Sequence, residues 1–225
     1  MNKALLATVL LAASGPSEAQ SVGGHFELYP DDAGVIATVN ANGRIDRKNL
    51  FFQSSLSTNG RSCGTCHEPD QAMSMTPERA RELFRQTRGQ DPLFAAVDGA
   101  DCPTARTGDQ NSHRLILSHG LIRVTVSLPA TAQFGVTVVH DPYGCALTKD
   151  PVTQLVTVSE YRRPLPSTNL RFLSAVMFDG RESPPSLALN NLATFSDHLN
   201  TDLKNQAQSA ITNHPGRGGE RSNFE

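Results

Sequence analysis

The chain of 225 residues has no tryptophan, three tyrosines and only 6% aromatic residues. With 38% hydrophobic content its core must be lean and built mainly from aliphatic side chains and ten phenylalanines. No apolar run is long enough to cross a bilayer. The run Ala4–Ala13 has about ten residues, against roughly 20 for a spanning helix, so no membrane span is expected. An excess of one charge is absent too: 20 Lys and Arg stand against 22 Asp and Glu, a net charge of −2. Such a balance gives no electrostatic reason for a nucleic-acid partner or an anionic membrane surface. Cysteine is scarce, at four residues, and only one pair has C-x-x-C spacing.

What is present begins at the N-terminus. Met1-Asn2-Lys3 supplies a positive start, Ala4–Ala13 an apolar segment, and Ser14-Gly15-Pro16-Ser17-Glu18-Ala19 a small-residue end. This order reads as a secretory signal peptide over residues 1–19, cut after Ala19, with a buried N-terminal helix as the competing reading. A mature chain of about 206 residues leaves room for one large domain. Fourteen prolines and 17 glycines predict many loops.

The scarce cysteines carry the strongest signal. Cys63-Gly64-Thr65-Cys66-His67 is an unbroken C-x-x-C-H, the attachment pattern of c-type haem. Two thiols three residues apart can bond the two vinyl groups of one haem, and the adjacent imidazole of His67 can serve as its proximal iron ligand. Two other uses of these residues compete. A thioredoxin-like redox pair needs a βαβ setting and no histidine. A zinc site from Cys63, Cys66, Cys102 and Cys145 would lack C-x-x-C spacing in its second half. With haem on the first pair, Cys102 and Cys145 are left as a disulfide candidate for an oxidising compartment, or as two free buried thiols.

Periodicity divides the rest. Residues 20–45 read as an irregular N-terminal arm and residues 46–56, around Leu50 and Phe51, as a short helix. Thr76-Pro77-Glu78 is a helix start with Ala80, Leu83 and Phe84 on one face, ended by Gly89. Ile122, Val124, Val126 and Leu128 alternate with Leu121, Arg123, Thr125 and Ser127 as in a half-buried strand. Phe134, Val136 and Val138 predict a second strand, and Val152–Val158 a third. A further helix is expected from Ser183-Pro184 through Leu192. Leu199, Leu203, Ala207, Ala210 and Ile211 then form an apolar stripe that stops at Pro215-Gly216. The expected fold is mainly α: a cytochrome c-like haem domain over 46–214. It carries an inserted loop and small antiparallel β region over 100–163 and a disordered tail over 215–225.

Candidates for a distal iron ligand are Met73, Met75, Met177, His113, His119, His140, His198 and His214, with Met73 and Met75 close in sequence to the proximal His67. A thioether favours electron transfer, and an open position admits peroxide. Arg162, Arg163 and Arg171 flank the Pro164-Leu165-Pro166 turn. They read either as partners for haem carboxylates or as ordinary surface charges.

An ordered set of segments resembles the bacterial di-haem cytochrome c peroxidase family. The set is Leu50-Phe51, Asn59-Gly60-Arg61-Ser62 leading into the haem motif, Pro166-Ser167-Thr168-Asn169-Leu170, and Phe178-Asp179-Gly180-Arg181. It covers the first haem half of that family, roughly residues 48–214. The resemblance implies reduction of hydrogen peroxide to water in the periplasm, with electrons from a small cytochrome c or cupredoxin. It implies haem c, one and covalent, on Cys63 and Cys66, with His67 as proximal ligand. Met177 is the distal candidate, and Arg181 and Glu182 are the candidates for a catalytic role. Phe178 stands where many members have tryptophan. The chain carries a single C-x-x-C-H, so the expectation is either half of a di-haem protein or a one-haem form. The alternative function is a single-haem electron-transfer cytochrome without peroxidase turnover.

Overall fold

A computed structural model describes residues 25–31, 34–40, 42–56, 59–149, 154–177, 180, 182–183 and 195–213. The signal peptide, Phe178, Asp179, Arg181, the helix expected over 184–192, His214 and the tail lie outside the described residues.

The first element is a hairpin, not an irregular arm. Strands β1 (His25–Asp31) and β2 (Gly34–Asn40) pair antiparallel, with Phe26 opposite Val39 and Leu28 opposite Ala37. Alternation of apolar and polar residues over seven positions provides the two faces, a period-two signal that the surrounding Gly and Asp residues obscured. The polar side, with Glu27 and Tyr29, is half-buried, and the hairpin lies against the Pro69–Gln71 turn; Phe26, Leu28, Val35 and Val39 are exposed.

Residues 46–56 form two separate 3-10 turns, Leu50–Phe52 and Ser54–Leu56, in place of one helix. Asn49 caps the first by accepting the Phe51 amide at 3.0 Å, and the extended backbone of Gln53 (φ −96°, ψ 127°) interrupts the run. Helix α1 (Pro77–Thr87) starts as the sequence dictates: Thr76 Oγ1 accepts the Arg79 amide at 3.2 Å and Pro77 occupies N1. It ends at Arg88 in the left-handed region (φ 54°), one residue before Gly89. Helix α2 (Arg114–His119) is closed by Gly120 at φ 60°, where a Cβ would meet the Met75 carbonyl oxygen at 3.2 Å.

α1 packs on α2. Between them and the start of β3 (Ile122–Ser127) lies the core of Met75, Ala80, Leu93, Phe94, Ile116, Leu117 and Ile122. Phe84 and Phe94 meet edge to face at 4.9 Å, an arrangement worth about 0.5–1.5 kcal/mol beyond the area they bury. Strands β4 (Leu147–Lys149) and β5 (Val156–Arg162) complete an antiparallel sheet of order β3-β5-β4. The strand expected at Phe134–Val138 is absent from that sheet, and its place is taken by β4. The segment around Phe134 is exposed and passes through turns after Pro129, and no strand among the described residues pairs with it. Helix α3 (Phe195–Asn213) carries the apolar stripe expected for it, with Ile211 buried.

The expectation of a mainly α fold is therefore corrected: the described residues hold three α-helices beside five strands in two small antiparallel sheets. The physical reason is the density of Pro, Gly and Asx residues. They cut what look like helical segments into three-residue 3-10 turns, too short to bury a stripe.

Cys102 and Cys145 form a disulfide, with Cα atoms 5.8 Å apart. Cys145 is presented by a turn in which the Asp141 carboxylate accepts the amides of Gly144 (2.8 Å), Cys145 (3.1 Å) and Ala146 (2.9 Å). The bond spans 43 residues, so the joint Cys102→Ala, Cys145→Ala variant should lose about 3–4 kcal/mol in the chain-entropy account. Urea unfolding followed by far-UV circular dichroism measures the loss; an unchanged midpoint would count against it.

Candidate haem site

Cys63–Thr65 folds as one 3-10 turn. The Ser62 amide donates to Thr65 Oγ1 at 3.0 Å, and the amides of Cys66 and His67 both donate to the Cys63 carbonyl, at 3.2 and 3.0 Å. This turn sets two thiols and one imidazole on consecutive steps of a tight coil. Both thiols are free and half-buried, while Cys66 packs against the core cluster. Burial pushes the Cys66 thiol up to about 12, with the nearby charge of Asp98 adding to the effect, and burial raises Cys63 as well.

The raised thiols separate the readings left open by the sequence. A redox-active C-x-x-C needs a thiol lowered toward neutrality, and this environment does the reverse. A four-cysteine zinc site fails because Cys102 and Cys145 are bonded to each other, and no cluster of three or more potential ligands gathers among the described residues. A pair of neutral thiols in apolar surroundings suits thioether attachment.

His67 is oriented by the loop that follows it. Its Nδ1 lies 2.8 Å from the Met73 carbonyl oxygen. A carbonyl only accepts, so Nδ1 carries the proton and the lone pair resides on Nε2, the tautomer a metal ligand requires. The carbonyl is aimed by an unusual backbone: Ala72 (φ 55°) and Met73 (φ 57°) are consecutive left-handed residues without glycine. Each costs on the order of 1 kcal/mol and persists only where the surroundings enforce it. They do so here. The Met73 amide donates to Glu68 O at 2.8 Å, and the Glu68 amide to Ser74 O at 3.1 Å. The Glu68 carboxylate is held by Arg79 at 2.7 Å, although burial still raises its pKa.

The Pro164–Ser167 stretch closes the loop from outside. The Ser74 hydroxyl donates to the Pro164 carbonyl, and the Ser167 amide donates to the Met73 carbonyl at 3.1 Å. The hydroxyl of Ser167 is buried with no hydrogen-bond partner among the described residues. On the other side, Phe51 lies 6.3 Å from the His67 ring, centroid to centroid. Phe52 covers Gly64 so closely that a Cβ there would come within 2.6 Å of Phe52 Cδ1 and 3.3 Å of its Cα. Gly64→Ala should therefore cost about 1–3 kcal/mol through forced displacement of Phe52. Thermal unfolding of the variant tests this, and a midpoint equal to that of the parent would refute it.

Upstream, Arg61 is buried and anchors the entry to the motif. Its guanidinium pairs with Asp98 and donates to the carbonyls of Pro92 (2.6 Å) and Leu93 (2.9 Å). The sequence offered no sign of Asp98 as its partner. Nor did it show the part played by the Met73 carbonyl, since a main-chain atom has no residue signature.

The distal candidates separate. Met75 is spent in the hydrophobic core. Met73 presents its carbonyl to Nδ1, the side of the imidazole away from the ligating nitrogen. His113 is buried with Nδ1 2.7 Å from Asp109 O and Nε2 2.8 Å from Phe94 O, so both ring nitrogens face main-chain carbonyls. His119 and His140 are exposed. The side chain of His198 and all of His214 lie outside the described residues. Met177 sits in a turn at φ 69°, half-buried, and Glu182 is half-buried nearby; no hydrogen bond or ion pair ties either to the Cys63–His67 turn among the described residues. Of the arginines, Arg162 pairs with Glu160, Arg163 donates to the His119 carbonyl at 2.7 Å, and Arg171 lies over the Phe172 ring.

The residues present fit a covalently held haem: two neutral thiols at attachment spacing and one imidazole whose tautomer is fixed for metal binding. In a comparison with known families, the model of the di-haem cytochrome c peroxidase family matches residues 48–224. No curated protein and no solved structure matches the chain.

Proposed function

The chain belongs to the di-haem cytochrome c peroxidase family, which its match over residues 48–224 shows. From that premise we propose that it is a periplasmic c-type haem protein that reduces hydrogen peroxide with electrons from a small cytochrome c or cupredoxin. Cys63 and Cys66 attach the haem and His67 ligates its iron. The observation that carries this reading is the 2.8 Å contact between His67 Nδ1 and the Met73 carbonyl, beside two free thiols on a single turn. When bound, haem supplies a one-electron iron couple and a coordination position at which peroxide oxygen can bind.

The chain's own residues do the rest. The loop over 68–74 holds the imidazole upright and keeps its Nδ1 proton in place. Phe51, Phe52 and the core residues around Cys66 exclude water from the attachment side. Export through the leader over residues 1–19 suits both the disulfide and haem attachment, which require an oxidising compartment for the first and a haem-attaching one for the second. Among the described residues no helix is long and apolar enough to cross a membrane.

Peroxide reduction takes two electrons and two protons per molecule to give two waters, whereas one iron couple cycles one electron. With one C-x-x-C-H in the sequence, the second electron comes either from a further oxidisable group of this protein or from another protein. That count favours a second reading as well: a single-haem electron carrier. Haem stoichiometry of the purified protein, followed by peroxide-dependent oxidation of a reduced small cytochrome c, separates the two. One haem per chain with turnover supports the peroxidase. One haem with a spectrum indifferent to peroxide supports the carrier. No covalent haem would refute both.

A further inference from the structure

The Met73 carbonyl has two donors. His67 Nδ1 lies 2.8 Å from it and the Ser167 amide 3.1 Å. The second donor arrives from far along the chain. Its segment is pinned by the Ser74 hydroxyl on the Pro164 carbonyl, a bond between residues 90 apart in sequence. We propose that the Pro164–Ser167 segment sets the reduction potential of the haem by sharing the carbonyl to which the proximal histidine donates. Ser167 is thus a positioning residue. It acts on the iron through Met73 and His67, and the inference rests on the haem reading above.

The physical argument concerns the competition for one oxygen. A carbonyl oxygen has two lone pairs and can accept twice, but each donor withdraws density that the other would use. A histidine ligand becomes more basic as the hydrogen bond from its outer N–H strengthens, because the ring takes on imidazolate character. A more basic ligand stabilises the oxidised, more positively charged iron and lowers the potential. The Ser167 amide therefore weakens the His67 bond and raises the potential, and its removal should lower it. Two further features suit a set-point device. The carbonyl sits on the strained Ala72-Met73 pair, so its direction is enforced and not adjustable. The Ser167 amide belongs to a proline-flanked segment, Pro164-Leu165-Pro166-Ser167, whose backbone is stiff before it binds.

The test is spectroelectrochemical titration of the haem-loaded parent chain and of Ser167→Pro, Ser167→Ala and Ser74→Ala, alongside covalent haem yield and thermal midpoint. Ser167→Pro deletes the amide donor and should shift the iron equilibrium toward the oxidised form by up to about tenfold, about 59 mV for a one-electron couple. Ser167→Ala keeps the amide and should stay within about twofold of the parent. Ser74→Ala loosens the segment and should move the potential in the same direction as Ser167→Pro, by less. A fully loaded Ser167→Pro with the parental potential overturns the proposal, as does a Ser167→Ala shift equal to that of Ser167→Pro. Where Ser167→Pro takes up no haem, Ser74→Ala decides: a lower potential at parental haem yield supports the proposal and an unchanged one overturns it. A purely structural role would lower yield and midpoint and leave the potential alone. A parent chain without covalent haem refutes the functional reading itself, an outcome distinct from all of these.

Discussion

The joint Cys63→Ala, Cys66→Ala variant is expected to carry no covalently attached haem. A denaturing gel stained for haem peroxidase activity should show a band at the mass of the chain for the parent and none for the variant, whose intact mass should equal that of the polypeptide alone. The effect is all or none because the two thioether bonds are the only covalent links the motif supplies. His67 alone binds as one imidazole, with no second covalent anchor to raise its effective concentration. Single variants grade the loss. Cys66→Ala removes a sulfur packed against the buried core cluster, whereas Cys63 is not among the residues packed on it. Cys66→Ala should therefore lower the thermal midpoint of the haem-free chain more than Cys63→Ala. The cost is small in both, because each loses only a single sulfur atom from a half-buried position. Equal retention of haem by the double variant would remove the basis for the whole site.

Much of this site was legible in the sequence because its reactive atoms are side chains at fixed spacing. Cys63, Cys66 and His67 announce themselves, and Thr76-Pro77 states where α1 must begin. Counting cysteines left Cys102 and Cys145 as either a disulfide or two free thiols, and the structure has the disulfide. Other parts could not be read, for two physical reasons. The orienting groups around His67 are main-chain atoms of Met73 and Ser167, and a carbonyl or an amide is the same in every residue. The hairpin and β4 were hidden because strand pairing is a long-range contact between short segments, while alternation over three residues of β4 carries almost no period. The mainly α expectation failed on the same ground. Residues 46–56 suggest one helix, yet the Asn49 cap on the Phe51 amide and the extended Gln53 stop the first coil after one turn. The Arg61–Asp98 pair shows a third limit: 37 residues separate the partners, and no local pattern links them.

That pair yields the largest expected loss of stability. Arg61 and Asp98 are each only 3% exposed, and the Asp98 carboxylate serves two cations. It binds the Arg61 guanidinium directly, and its charge also acts on Arg123, whose amide donates to the Asp98 carbonyl at 2.8 Å. Arg123 is 1% exposed, and the carbonyls of Ala96 and Val97 hold its guanidinium while Nε has no partner among the described residues. Burial disfavours its charged form, and Asp98 opposes that effect. Asp98→Ala therefore strips the carboxylate from two buried cations at once, and breaking such a pair by removing one partner costs about 3–5 kcal/mol. Against a typical domain stability of about 5–15 kcal/mol, about a fifth or more of the total disappears. Guanidinium unfolding should show a large fall in midpoint for Asp98→Ala. The joint Arg61→Met, Asp98→Leu variant, which removes both charges and keeps the volume filled, should recover much of it. A second consequence reaches the haem turn. Arg61 stands two residues before Cys63 and ties that turn to the Pro92–Asp98 loop, so Asp98→Ala should also lower covalent haem yield. Equal stability of Asp98→Ala and the parent would mean that the two guanidinium groups are held by their carbonyl acceptors alone. Recovery of stability and haem yield together in the double variant would instead place the anchoring in packing, with the charges needed only for each other.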